Sequence, residues 1–143
     1  MNFLRDHRSF FLVILIITIG LSCTESEDQG PVLEDDALES CADTEVNDPD
    51  FGGTACCIQR NTELDPSAEI VYEYSTNLPN AQTTWEVTSG DIEIVSGGNS
   101  PTVTIRLGDS FTEGQITALG TGDRSGIELR CSATVSIAYS TEQ

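Results

Sequence analysis

Across residues 127–139 every odd-numbered position is apolar or cysteine, and every even-numbered one is polar or small. A period of two held over so long a run describes a half-buried β-strand, because helical faces repeat every 3.6 residues. The same rule organises the chain upstream. Ile70, Tyr72 and Tyr74 share one face, and Trp85 and Val87 share another, with Thr84 and Glu86 turned outward. Val103, Ile105 and Leu107 alternate with Thr102, Thr104 and Arg106, and shorter strands are predicted over residues 92–95 and 115–119. Between them lie the turn signals Ser89-Gly90-Asp91, Ser96-Gly97-Gly98-Asn99-Ser100 and Gly120-Thr121-Gly122-Asp123. Short strands broken by turns about every ten residues predict an all-β sandwich.

The order of these features is similar to that of the PKD-like, immunoglobulin-type modules of Bacteroidota surface proteins. Tyr72 and Tyr74 come first, then Trp85-Glu86-Val87 ahead of Ser89-Gly90. The Ser96-Gly97-Gly98 turn, the strand over residues 102–107 and Phe111 before Gly114 follow. The resemblance runs over residues 69–137 and lacks the Trp-Asp-Phe-Gly-Asp-Gly signature of standard PKD domains. It implies an immunoglobulin-like sandwich of about seven strands, serving as a spacer or adhesion-type binding module.

The N-terminus has a different composition. Arg5 and Arg8 precede an almost wholly apolar run over residues 10–19. That run is about half the length a helix needs to cross a bilayer core. A short apolar segment behind a positive flank is the pattern of an export leader, expected over residues 1–22. Leu21-Ser22-Cys23 resembles the lipobox of bacterial lipoproteins, and the acids after Cys23 resemble a Bacteroidota surface-export signal. That likeness implies acylation of Cys23 and a lipid-anchored place on the outer membrane, exposed at the cell surface. Two or more acyl chains hold a protein durably, since each buried methylene contributes about 0.8 kcal/mol.

Removing residues 1–22 would take the formal net charge from −18 to −19, with no lysine anywhere in the chain. Phosphate neutralisation needs lysine and arginine, so nucleic acid is excluded as a partner. Cations, a surface protein or a neutral glycan remain. Eleven of the acids fall between Thr24 and Asp50, without one base. Such segments bury too little apolar surface to offset the entropy of ordering, which predicts a disordered, self-repelling tether over residues 23–40. A cysteine-bracketed acidic loop is then expected over residues 41–57, and the sandwich over residues 58–143.

Five cysteines are present. With Cys23 acylated, Cys41, Cys56, Cys57 and Cys131 remain for two disulfides in an oxidising compartment. Neighbouring cysteines fit disulfide geometry badly, which disfavours a Cys56–Cys57 bond. The preferred pairing is Cys41–Cys56 with Cys57–Cys131; Cys41–Cys57 with Cys56–Cys131 stays open.

Three chemistries can be weighed from the residues. Gly108-Asp109-Ser110 looks like the first block of GDSL hydrolases, but a serine nucleophile needs a base, and the single histidine is His7, inside the leader. No catalytic residue is therefore assigned. Within the loop, Asp43, Glu45, Asn47, Asp48 and Asp50 alternate as oxygen donors before Gly52 and Gly53. Calcium takes six to eight oxygens, so these five are candidate Ca²⁺ ligands, although the spacing is not that of an EF-hand. Exposed rings would favour sugar stacking. Tyr72, Tyr74 and Trp85 are expected in the core, which leaves Phe51, Phe111 and Tyr139. The expectation is a lipid-anchored, non-enzymatic surface module with no cofactor beyond that calcium, or else a glycan-binding accessory lipoprotein.

Overall fold

The computed structural model describes residues 31–42, 44–48 and 50–140. Its strands are β1 Val32–Asp35, β2 Cys56–Arg60, β3 Ile70–Thr76, β4 Gln82–Ser89, β5 Ile92–Ser96, β6 Thr102–Leu107, β7 Glu113–Arg124 and β8 Ile127–Ser140. They form two antiparallel four-stranded sheets, ordered β1-β8-β7-β4 and β2-β3-β6-β5. The expected all-β sandwich is therefore present, its eight strands among the described residues roughly matching the expected seven. Taken from β2 onward, the order is that of a constant-type immunoglobulin domain, four strands facing three. β1 is the addition.

Alternation fills the space between the sheets. Ile70, Tyr72, Val103, Ile105, Ile116, Val135 and Ile137 are almost wholly buried, and they come from β3, β6, β7 and β8. Trp85 on β4 meets the ring of Tyr74 edge-on at 6.5 Å. Its Nε1 donates to the Ser100 carbonyl at 2.8 Å. The indole thus gains both its apolar contact and the partner its N–H requires in the interior.

Two expectations need correction. Gly120-Thr121-Gly122-Asp123 does not end a strand. β7 runs through it to Arg124, and the turn is Ser125-Gly126, with φ of 58° and 81°. Two central residues at positive φ make the two-residue hairpin turn whose twist suits antiparallel strands. Gly120 serves packing instead: a Cβ there would lie 2.5 Å from the Tyr74 hydroxyl oxygen.

Residues 32–38 also depart from the disordered tether expected over residues 23–40. Residues 32–35 form β1, registered Val32↔Ser140 through Asp35↔Ile137. Leu38 then bridges to Gln59 on the other sheet. The acid count misled because two of these carboxylates have dedicated partners. Asp35, its side chain fully buried, pairs with Arg60 at 2.5 Å and accepts from the Tyr72 hydroxyl at 2.6 Å. Asp36 accepts from the Ser136 N–H at 2.6 Å. Leu33, between them and Val32, is buried in the core. Residues 1–30, including the expected leader and Cys23, lie outside the described residues.

Candidate functional site

The register gives the sandwich two distinct ends. At one, the start of β1 lies beside the end of β8, Val32 opposite Ser140. At the other, β7 turns into β8 at Arg124↔Ile127. Thirteen residues of extended chain separate these ends along β8, about 44 Å at 3.4 Å per residue. The first is the terminal end and the second the cystine end.

Both disulfides sit toward the cystine end, joining Cys41 to Cys57 and Cys56 to Cys131. The preferred pairing from sequence is thus corrected to its alternative. Strand parity is the reason. On β2, Ile58 is buried in the core, so Cys56 two residues away turns inward with it, and Cys57 turns outward. Cys131 also occupies an inward position on β8, across the interior from Cys56. Cys57 instead meets the N-terminal segment as it folds over the outside of β2.

The loop from Cys41 to Ala55 is held by its own polar groups. The Cys41 carbonyl accepts from Thr44 Oγ1 at 2.7 Å and from Asn47 Nδ2 at 2.8 Å, around a single 3₁₀ turn over Glu45–Asn47. Asp48 Oδ1 accepts from the Asp50 N–H at 2.9 Å. Asn77 Nδ2 donates to the Gly53 carbonyl, and the Ala55 N–H donates to Asn77 Oδ1. The Arg124 guanidinium donates to the carbonyls of Gly53 and Asn77 at 3.2 and 3.4 Å. Arg124 thereby ties the hairpin to the loop.

Of the five candidate calcium ligands, the four among the described residues gather into no metal-type cluster. Asn47 bonds the Cys41 backbone, Asp48 bonds Asp50, and Glu45 lies in the 3₁₀ turn; Asp43 lies outside the described residues. Among the described residues no group of three or more His, Cys, Asp or Glu side chains gathers as a metal site would require. The aromatic candidates divide. Phe111 is buried, edge-on to Tyr139 at 5.9 Å, while Phe51 and Tyr139 are half-buried. Gly108-Asp109-Ser110 is a turn pinned to Asp91: the Gly108 N–H donates to the Asp91 carbonyl and the Ser110 N–H to its Oδ2.

Two hollows flank the loop. One, of about 600 Å³, lies between the loop and the hairpin, lined by Val46, Asn47, Asp48, Phe51, Asn77 and Arg124. The other, of about 490 Å³, runs between the loop and β8, past Leu38, Val46, Ala55, Cys131 and Ser132. Sequence reasoning missed the second, because it forms where β1 leaves the sheet early. Deeper in, Asp35, Arg60 and Tyr72 join β1 to both neighbouring strands of the other sheet. Burial, and then the hydrogen bond to Asp35, push the Tyr72 hydroxyl well above the usual tyrosine range.

No protein-family model, no curated protein and no solved structure matches this chain.

Proposed function

We propose that the chain is a non-catalytic binding module, held to the outer membrane by lipid on Cys23 and carrying its cystine end away from the bilayer. The observation that carries this reading is the Val32↔Ser140 register. It puts the entry of residues 1–31 at the terminal end, about 44 Å from the β7–β8 turn. A tether joined there leaves the loop, the hairpin and both hollows facing outward. The Asp35–Arg60–Tyr72 group fixes the entry strand to the body, so the tether would pull on a seated element rather than on a fraying end.

Protein contact is better supported than sugar stacking. Tyr72, Tyr74, Trp85 and Phe111 are all in the core, which leaves no set of exposed rings on either sheet face among the described residues. The experiment is metabolic labelling with an alkyne fatty acid in an exporting host, followed by antibody access to the β7–β8 turn on intact cells. Label on the wild type, none on Cys23→Ser, and access to the turn are the expected results. An unlabelled wild type with residues 1–22 retained would overturn the anchored reading.

A further inference from the structure

We propose that the cystine-end half of β8 is a strand-docking site. Its occupant is an extended segment of another protein in which apolar residues alternate with basic or hydroxyl-bearing ones. The inference names the partner class for the binding module proposed above and rests on that reading for its setting.

Hydrogen-bond parity decides which backbone groups of β8 are free. The two-residue turn makes Arg124↔Ile127 a mutually bonded pair, so the odd-numbered residues of β8 bond to β7 and the even-numbered ones face the opposite way. Ser136 confirms the parity. Its carbonyl accepts from the Asp36 N–H and its own N–H donates to Asp36 Oδ1, both on the β1 side. β1 pairs only with residues 137–140, and the chain then crosses to β2. The N–H and C=O groups of Glu128, Arg130, Ser132 and Thr134 are left without a hydrogen-bond partner among the described residues. Their edge is about 20 Å long.

The outer edge of β1 is only four residues long, and the edges at β4, β2 and β5 are blunted in the usual ways. The Trp85 N–H on β4 is bonded to the Gly98 carbonyl. Leu38 bonds the edge of β2 through the Ile58 carbonyl and the Arg60 N–H. β5 is short and broken by a register shift between Ile94 and Ser96. β8 is matched to β7 without any such shift from Ile127 to Ala138. A long regular edge with free backbone groups is the template that strand addition uses.

The hollow beside that edge sets the side-chain pattern. Its floor holds the Cys56–Cys131 disulfide with Ala55, and its far wall carries Val46 and Leu38, the latter 42% exposed. An incoming strand would turn every second residue onto this apolar floor. The remainder would stand beside Glu128, Arg130, Ser132 and Thr134, with Glu45 on the rim of the hollow. On a chain of net charge −18, that favours a basic or neutral segment and opposes a second copy of the chain.

The test uses the full chain as an exporting host makes it, in mild detergent, with residue-resolved amide spectra. The probe is a synthetic decapeptide alternating valine with lysine and threonine. Expected are shifts at the Glu128, Arg130, Ser132 and Thr134 amides and at least tenfold slower exchange there, with Leu129 and Cys131 unchanged. A peptide with glutamate for lysine should bind at least tenfold more weakly, and one N-methylated on its docking edge should not bind. Ser132→Pro removes an outward N–H while keeping the β7 ladder, and should weaken binding of the lysine peptide tenfold. Should that variant not fold, the N-methylated peptide decides. No shift at millimolar lysine peptide, or equal binding of the glutamate peptide, overturns the proposal. So do amides already protected in the free chain, or protection that rises with protein concentration alone. None of these outcomes bears on fatty-acid labelling of Cys23, so the two readings fail separately.

Discussion

β8 is one strand with two unlike halves. Near the terminal end its outward backbone groups are taken by β1, and behind that pairing Asp35 is gripped by Arg60 and Tyr72. Near the cystine end the same row of groups has no partner strand among the described residues, and a disulfide and a loop lie beside it. Twist, parity and the β7 ladder are common to both halves. The difference is where the N-terminal segment leaves the sheet. A polar triad closes one half and a covalent link holds the other, so the open edge can persist without loosening the sandwich.

The largest way to break this contrast is to remove the link. Cys56→Ser with Cys131→Ser frees a closure of 75 residues and should lower unfolding stability by about 4 kcal/mol in a urea titration. The loss should fall on the cystine end, with the β1 pairing intact. The converse is Asp35→Ala, which strands a part-buried Arg60 and the Tyr72 hydroxyl. It should cost about 3 kcal/mol and expose the amides of β8 near its end to exchange, while the disulfides stay formed. Gly120→Ala sharpens the comparison by pressing on Tyr74, whose hydroxyl donates to the Cys131 carbonyl. About 2 kcal/mol is expected, read by thermal unfolding.

The smallest effect is a pH dependence. Tyr72 keeps its proton in the fold at pH values where an unfolded tyrosine, near 10.0, gives it up. The unfolded state then binds fewer protons, so stability is fully present below about pH 10 and falls as pH rises above it. Tyr72→Phe should remove part of that slope in an alkaline denaturation series.

Much of this was legible in the sequence. The inward faces of β3, β4, β6 and β8 follow directly from alternation, because each side of a strand repeats every second residue. The disulfide pairing was misjudged: the preferred Cys41–Cys56 bond ignored the parity of Ile58, which puts Cys56 inside and opposite Cys131. Composition concealed β1: an acidic stretch reads as solvated until Arg60 and Tyr72 are known to meet Asp35, a contact across 25 and 37 residues. Gly120 reads as part of a turn because a glycine required by a neighbouring ring looks the same as one required by φ. The open edge had no local signal at all, since it depends on where a different segment stops pairing.

Amide exchange measured along β8 in the free protein tests the central contrast most directly. Alternation is expected at the cystine end, with Glu128, Arg130, Ser132 and Thr134 exchanging at least a hundredfold faster than Leu129, Cys131 and Ala133. Ala138 should be as slow as Ile137. Uniform protection along the whole strand, or rapid exchange at Ala138, would contradict it.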